Sequence, residues 1–307
     1  MDNFTHKGTE KVTQSSNSST GIRPAVRVIA GHPSADGAGV KIHRVAGFQS
    51  ADFSPFLMVD EIRSENPDDY IAGFPPHPHR GIETLTYMLN GEFEHRDHLG
   101  NRGAIAQGGA QWMRAGRGII HSEMPSQSRD ATGMHGFQLW INMAAKDKMS
   151  KPGWRDIQPE QVREVALDDH GSLIRMIAGQ WQVHGNPESA PLLDAAAEAS
   201  VADVRLVAGA EVNLPLPADH SVLVYIYRGA LDTGRGAVSR GNLVLFGGGE
   251  SLKLRAPEDA PEQGTGMLVL HGKPLNEPVV HYGPFVMNTR EQIEQAVRDY
   301  NNGTLAE

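Results

Sequence analysis

From Arg23 onward the chain is a succession of short apolar stretches broken by glycine and by polar clusters. Val26–Ile29 and Val40–Val45 have the β-branched character of strands, with a turn expected around Ser34–Gly37. Phe56–Glu61 reads as a further strand running into a polar loop at Ser64–Asp69. Ile82–Leu89 is dense in β-formers, and Asn90-Gly91 is the two-residue signal of a tight hairpin. Phe93–Asp97, Gln111–Ala115, Gly118–Glu123 and Gly136–Asn142 follow at regular spacing, with a turn at Leu99–Gly103. Short strands at even spacing, joined by turn residues, are the pattern of a β-sandwich or barrel.

The pattern repeats. Tyr87–Gly91 (YMLNG) resembles Tyr225–Gly229 (YIYRG), and each is followed by a glycine-led apolar step, Gly109–Arg114 and Gly241–Phe246. Two copies of one β-domain account for this echo. The polar stretch Lys146–Gly171 reads as the segment crossing between them, and Glu188–Ser200 as a short helix or exposed loop. At the end, Thr289 and Gln292 form a capping box, and Ile293, Ala296, Val297 and Tyr300 share a helical face ahead of Gly303. The expected organisation is a polar, disordered tail at 1–22, a first β-domain at 23–145, a connection at 146–171, and a second β-domain at 172–307 that ends in an amphipathic helix.

Composition narrows the function. With 28 basic against 37 acidic residues the chain carries a formal charge of −9, and it has no basic cluster suited to a nucleic-acid backbone or an anionic membrane. It contains no cysteine, which removes disulfide scaffolds, thiolate metal sites and cysteine nucleophiles and fits a reducing cytoplasm. The first twenty residues are rich in Ser, Thr and Asn and lack the apolar core of a signal peptide.

Most of the fourteen histidines are scattered, but three are grouped. His77-Pro78-His79 precedes the Ile82 strand, and His121-Ser122-Glu123 lies on a later one. In extended backbone residues i and i+2 share a face, so each pair can aim both side chains at one point in a barrel interior. Two such pairs on neighbouring strands would offer three nitrogens and a carboxylate to one divalent first-row metal, leaving positions for water, O2 or substrate. Glu83, four residues beyond His79, competes with Glu123 for the carboxylate position, because strand parity turns it inward as well. Spacing alone leaves that choice open.

The segments HPHRGIETLTYMLNGEFEHRDHLGNRG (77–103), QWMRAGRGIIHSEMP (111–125), HGFQLWINM (135–143) and GKPLNEPVVHYGPFVMNT (272–289) resemble blocks of the pirin family. The resemblance runs from about Arg23 to the C-terminus. It implies an all-β bicupin, two jelly-roll barrels packed face to face, with one mononuclear metal, Fe(II) first among the first-row divalent ions, in the first barrel. It selects His77, His79, His121 and Glu123 as ligands and leaves Glu83 a buried carboxylate paired with Arg80 or Arg117. The second barrel, holding only His220 in the matching region, is expected to be metal-free, with His271 and His281 structural.

The family also implies an activity: quercetin (flavonol) 2,3-dioxygenase chemistry. In that reaction Glu123 accepts the 3-hydroxyl proton, O2 adds at C2, and the heterocycle opens with loss of carbon monoxide. Phe53, Phe56, Phe74 and Met113 are candidate walls for the aromatic substrate. The alternative is a non-catalytic, metal-dependent and redox-responsive partner of other proteins, such as transcription-factor complexes or metabolic enzymes. A monomer is expected in either case.

Overall fold

The computed structural model describes residues 21–48, 50–126 and 133–307. The polar tail lies outside the described residues as far as Thr20, and Ile22 already forms a bridge to Ser251. The first half is made of β1 (Ala25–Ala30), β2 (His32–Asp36), β3 (Val40–Ala46), β4 (Phe56–Ser64), β5 (Phe74–His79) and β6 (Ile82–Asn90). There follow β7 (Phe93–Asp97), β8 (Arg102–Ile105), β9 (Ala110–Arg114), β10 (Ile119–Pro125), β11 (Met134–Asn142) and β12 (Gly153–Ile157). A seven-stranded sheet in the order β12-β9-β6-β11-β4-β3-β2 and a four-stranded sheet in the order β5-β10-β7-β8 form the first barrel. The expected strands are present, and further ones appear: β8 starts within the expected turn at Leu99–Gly103, and β12 lies within Lys146–Gly171. His32–Asp36, read as leading into a turn, is strand β2, because the reversal falls later, at Gly37 (φ +57) and Gly39 (φ +105).

The second half repeats the plan with a seven-stranded sheet whose central strands are Asn242–Phe246, Ser221–Arg228, Thr265–Gly272 and Ser200–Leu206. The sequence echo is a spatial one. Tyr87 on β6 and Tyr225 on Ser221–Arg228 occupy matching central strands, and both point into one core between the two large sheets. That core holds Val59, Leu85, Phe137 and Leu139 from the first sheet and Val201, Leu223, Leu245 and Leu268 from the second, all buried. At about 1.5–3 kcal/mol for each buried large aliphatic or aromatic side chain, this face-to-face contact is a principal source of stability. Its polar groups are paired: Asp203 accepts from Tyr87 Oη (2.9 Å) and Tyr227 Oη (2.5 Å), and Glu61 accepts from Tyr225 Oη (2.7 Å). Ala195 and Ala199 are buried in the same core, so the stretch 188–200, expected as a helix or an exposed loop, is in part an interdomain plug with one 3-10 turn, Ala196–Glu198.

Both ends of the chain cross over. β1 pairs with Asn242–Phe246 at the edge of the second sheet, in the place that β12 occupies beside β9 in the first. At the other end, the strands Val280–Tyr282 and Phe285–Met287 and helix α1 (Arg290–Asn301) pack on the first barrel. Helix α1 starts at the expected box, with Thr289 Oγ1 accepting from Gln292 N (3.3 Å). It buries Ile293 and Ala296, whereas Tyr300 remains exposed. Arg80 anchors the crossover through Asp299 (2.7 Å), and the buried Lys148 donates to Gly81 O (2.7 Å), Val286 O (2.9 Å) and Asn142 Oδ1 (2.6 Å). Burial lowers the Lys148 amine to about 7, while its three donors are all matched. Among the described residues no helix is long and apolar enough to cross a membrane.

Candidate metal centre

His77 and His79 alternate on β5, and His121 and Glu123 alternate on β10. Antiparallel pairing sets His121 opposite His77 and Ile119 opposite His79, and a register shift follows between His121 and Glu123. One nitrogen from each of His77, His79 and His121 lies within 4.8 Å of the other two. Their ring centroids are 4.3 Å (77–121), 4.9 Å (77–79) and 5.1 Å (79–121) apart.

The ring orientations leave lone pairs free. His77 Nδ1 donates to Pro75 O (2.9 Å) and His79 Nδ1 to Pro284 O (3.2 Å), which leaves Nε2 of each as the nitrogen open to a metal. His121 Nε2 is buried with no hydrogen-bond partner among the described residues. Buried polar atoms are nearly always satisfied, so an orphaned imidazole nitrogen beside two others fits a cation. Burial and the neighbouring His77 hold His79 down to about 3, and burial holds His121 well below its ordinary range. His79 and His121 are thereby held in the neutral form, the one that binds metal.

Glu123 is buried beside this trio, where it accepts from Thr86 Oγ1 (3.3 Å) and Gln138 Nε2 (3.5 Å). Desolvation raises its carboxyl above the usual range, and the neighbouring His77 and the bonds from Thr86 and Gln138 oppose that only in part. Glu123 groups within 4.8 Å with His121 and with a residue that carried no weight in the sequence, His95. His95 is fully buried on β7, opposite Glu123, and its Nδ1 lies 3.4 Å from His121 Nδ1. Its Nε2 has no hydrogen-bond partner among the described residues and lies 3.7 Å from Asp97. The available signal was the spacing His95-Arg-Asp97 on an expected strand; its adjacency to β10 is not legible locally.

Glu83 is elsewhere. It accepts from Arg114 Nε (2.7 Å), Trp112 Nε1 (2.9 Å) and the Ala196 amide (2.7 Å), so it faces the interdomain core and pairs with Arg114 rather than with Arg80 or Arg117. Strand parity failed because β5 and β6 are separate strands: Arg80 and Gly81 (φ +81) turn the chain between His79 and Ile82 and reset the alternation.

His77, His79 and Glu123 line a cavity of about 590 Å³. Phe74 lines it as expected, but Phe53 and Phe56 belong to the interdomain core, and Met113 packs with Ile82 and Ile119. Phe48, Phe93 and Trp140 form the aromatic walls instead, together with His281, which stacks on Phe48 at 4.1 Å. His281, expected to be a structural residue of the second domain, thus reaches the first domain's cavity on the crossing C-terminal segment. In the second barrel His220 and His271 meet, Nδ1 to Nδ1, at 3.0 Å.

Two β-sandwich barrels packed sheet to sheet, the first with an imidazole-lined cavity, define a bicupin. Residues 39–141 match the pirin family model, and residues 201–306 match that of the pirin C-terminal cupin domain. The chain belongs to the pirin family. A Vibrio cholerae protein named "Putative quercetin 2,3-dioxygenase" is 50% identical over 90% of this chain and 95% of its own length. A pirin-like protein of Caulobacter vibrioides is 40% identical over 92% and 99%. The crystal structure of a quercetin 2,3-dioxygenase from Acinetobacter baumannii superposes with a TM-score of 0.83 at 30% identity, covering 94% of this chain and 99% of that one.

Proposed function

We propose that the protein is a metal-dependent flavonol 2,3-dioxygenase, with one Fe(II)-type ion held by His77, His79 and His121 and with Glu123 as its fourth ligand and base. The observation that carries this reading is the convergence of three imidazoles, two with Nδ1 tied to backbone carbonyls, beside an aromatic-walled cavity that His77, His79 and Glu123 line. When bound, the metal supplies Lewis acidity toward a chelating oxygen pair and a place for O2. The protein's own contribution is positional. Phe48, Phe93 and Trp140 exclude water and flank a planar ring system. Glu123, oriented by Thr86 and Gln138, stands ready to take the proton of a substrate hydroxyl. The names of the Vibrio and Acinetobacter relatives support the same substrate class.

Iron-loaded protein mixed with quercetin under air is expected to bleach the flavonol's long-wavelength absorbance and release carbon monoxide. His79→Ala is expected to lose both bound metal and turnover. Turnover by protein shown to be metal-free would overturn the mechanism. A stable flavonol spectrum with fully loaded protein would favour the non-catalytic, partner-binding reading.

A further inference from the structure

The wall of the cavity carries a charged group that metal binding does not use. Arg44 on β3 and Asp60 on β4 are cross-strand partners, and both line the cavity together with Asp36. Asp60 Oδ1 accepts from Arg44 Nε (2.8 Å) and Oδ2 from Nη2 (2.6 Å), while Asp36 Oδ2 takes a second bond from Nη2 (2.5 Å). Asp60 is 4% exposed. The other cavity-lining residues on these two strands, Ile42, Met58 and Ile62, are apolar, as a barrel interior requires. An ion pair at such positions gains little over a packed apolar pair, so packing alone does not account for it.

The trio is placed to read a ligand. Across the inner face of the sheet, Arg44, Asp60, Gln138 and Thr86 follow one another in register on β3, β4, β11 and β6. Gln138 and Thr86 are the residues that hold Glu123. Asp60 therefore stands one strand, and Arg44 two strands, from the residue that orients the base, a separation of roughly 5 and 10 Å at ordinary strand spacing. That is the reach of a two- to three-ring aromatic molecule whose chelating edge sits at the histidines. Two carboxylates against one guanidinium leave the trio with a net negative charge, which disfavours an anionic group. Arg44 Nη1 has no partner among the described residues, so the trio presents a free donor beside carboxylate acceptors.

We propose that Arg44, Asp60 and Asp36 form a second recognition site for phenolic hydroxyl groups on the ring remote from the metal-chelating edge, and that they set substrate preference. Each such hydroxyl both donates and accepts, which matches an arginine–aspartate pair. The inference rests on the flavonol reading for the identity of the chelating edge.

Quercetin carries two adjacent hydroxyls on its remote ring; galangin keeps the 3-hydroxy-4-keto edge and lacks both. Binding of each to iron-loaded protein without oxygen, followed by tryptophan fluorescence, is expected to favour quercetin by about 10-fold or more. Asp60→Asn is expected to reduce that ratio below about 3-fold with galangin affinity retained. The double variant Arg44→Met/Asp60→Leu, which removes both charges and cannot strand either, is expected to do the same. An unselective wild type, or variants that lose both flavonols in parallel, would overturn the proposal. If both flavonols bind with the expected ratio but neither is consumed when air is admitted, the dioxygenase reading fails and the recognition site stands. If neither binds, both fall.

Discussion

The two carboxylates nearest the histidine motifs, Glu83 and Glu123, do opposite work, and the difference is set by what each side chain meets. Glu83 is fully buried and satisfies Arg114, Trp112 and a backbone amide of the opposite domain. Replacing it by alanine strands all three donors. Glu83→Ala is therefore expected to cost about 3–5 kcal/mol in urea unfolding while the surviving folded protein still retains metal at one ion per chain. Glu123→Gln is expected to show the converse, near-native stability with lost turnover, because its neighbours Thr86 and Gln138 can re-pair with an amide. Measuring metal content, turnover and unfolding midpoint for both variants separates the roles.

The elements around the site were legible in proportion to how local their signals are. Strands β4, β6, β7, β9, β10 and β11 follow from alternation and turn residues, and helix α1 from its capping box. The pairing of β5 with β10 was inferable because two short histidine motifs needed a common centre. Glu83's facing was not, since a single left-handed glycine between β5 and β6 cancels the parity argument. His95 was not, because its partners arrive from other strands. The crossing of β1 and of the C-terminal hairpin leaves no local trace at all: an edge strand reads the same whichever sheet it completes. Gly81 shows the cost of changing such a junction. A Cβ there would meet the Val286 carbonyl oxygen at 2.1 Å, on backbone that only glycine adopts freely. Gly81→Ala is expected to lower stability by at least about 1–3 kcal/mol. It is also expected to weaken metal retention in equilibrium dialysis, since Val286 lies two residues beyond the carbonyl that orients His79.

At the scale of the whole molecule, acid sensitivity has a second origin apart from the candidate metal centre. His271 is buried in the second domain between His220 and Trp181, and burial, with the neighbouring His220, lowers it to about 3. Below pH 6.5 the unfolded chain takes up a proton at this residue that the native chain refuses. Its contribution to stability is thus intact above pH 6.5 and is lost as the pH falls toward 3, at about 1.4 kcal/mol per pH unit. Urea midpoints at pH 7.5, 6.0 and 5.0 are expected to fall less steeply in His271→Leu than in the parent chain. An unchanged slope would place the acid sensitivity elsewhere.

The crossed C-terminal segment also sets an order in time. Glu123, the last of the four proposed ligands, leaves the ribosome some 160 residues before Pro284, whose carbonyl orients His79, and before Asp299, which anchors Arg80. At about 5–20 residues per second that is an interval of roughly 8–32 s. Throughout it the first barrel holds its imidazoles without the segment that aligns one of them, and β1 waits for a sheet not yet made. The alignment of His79 therefore waits on residues made long after the ligands themselves, and an ion captured earlier would meet an unaligned set of donors.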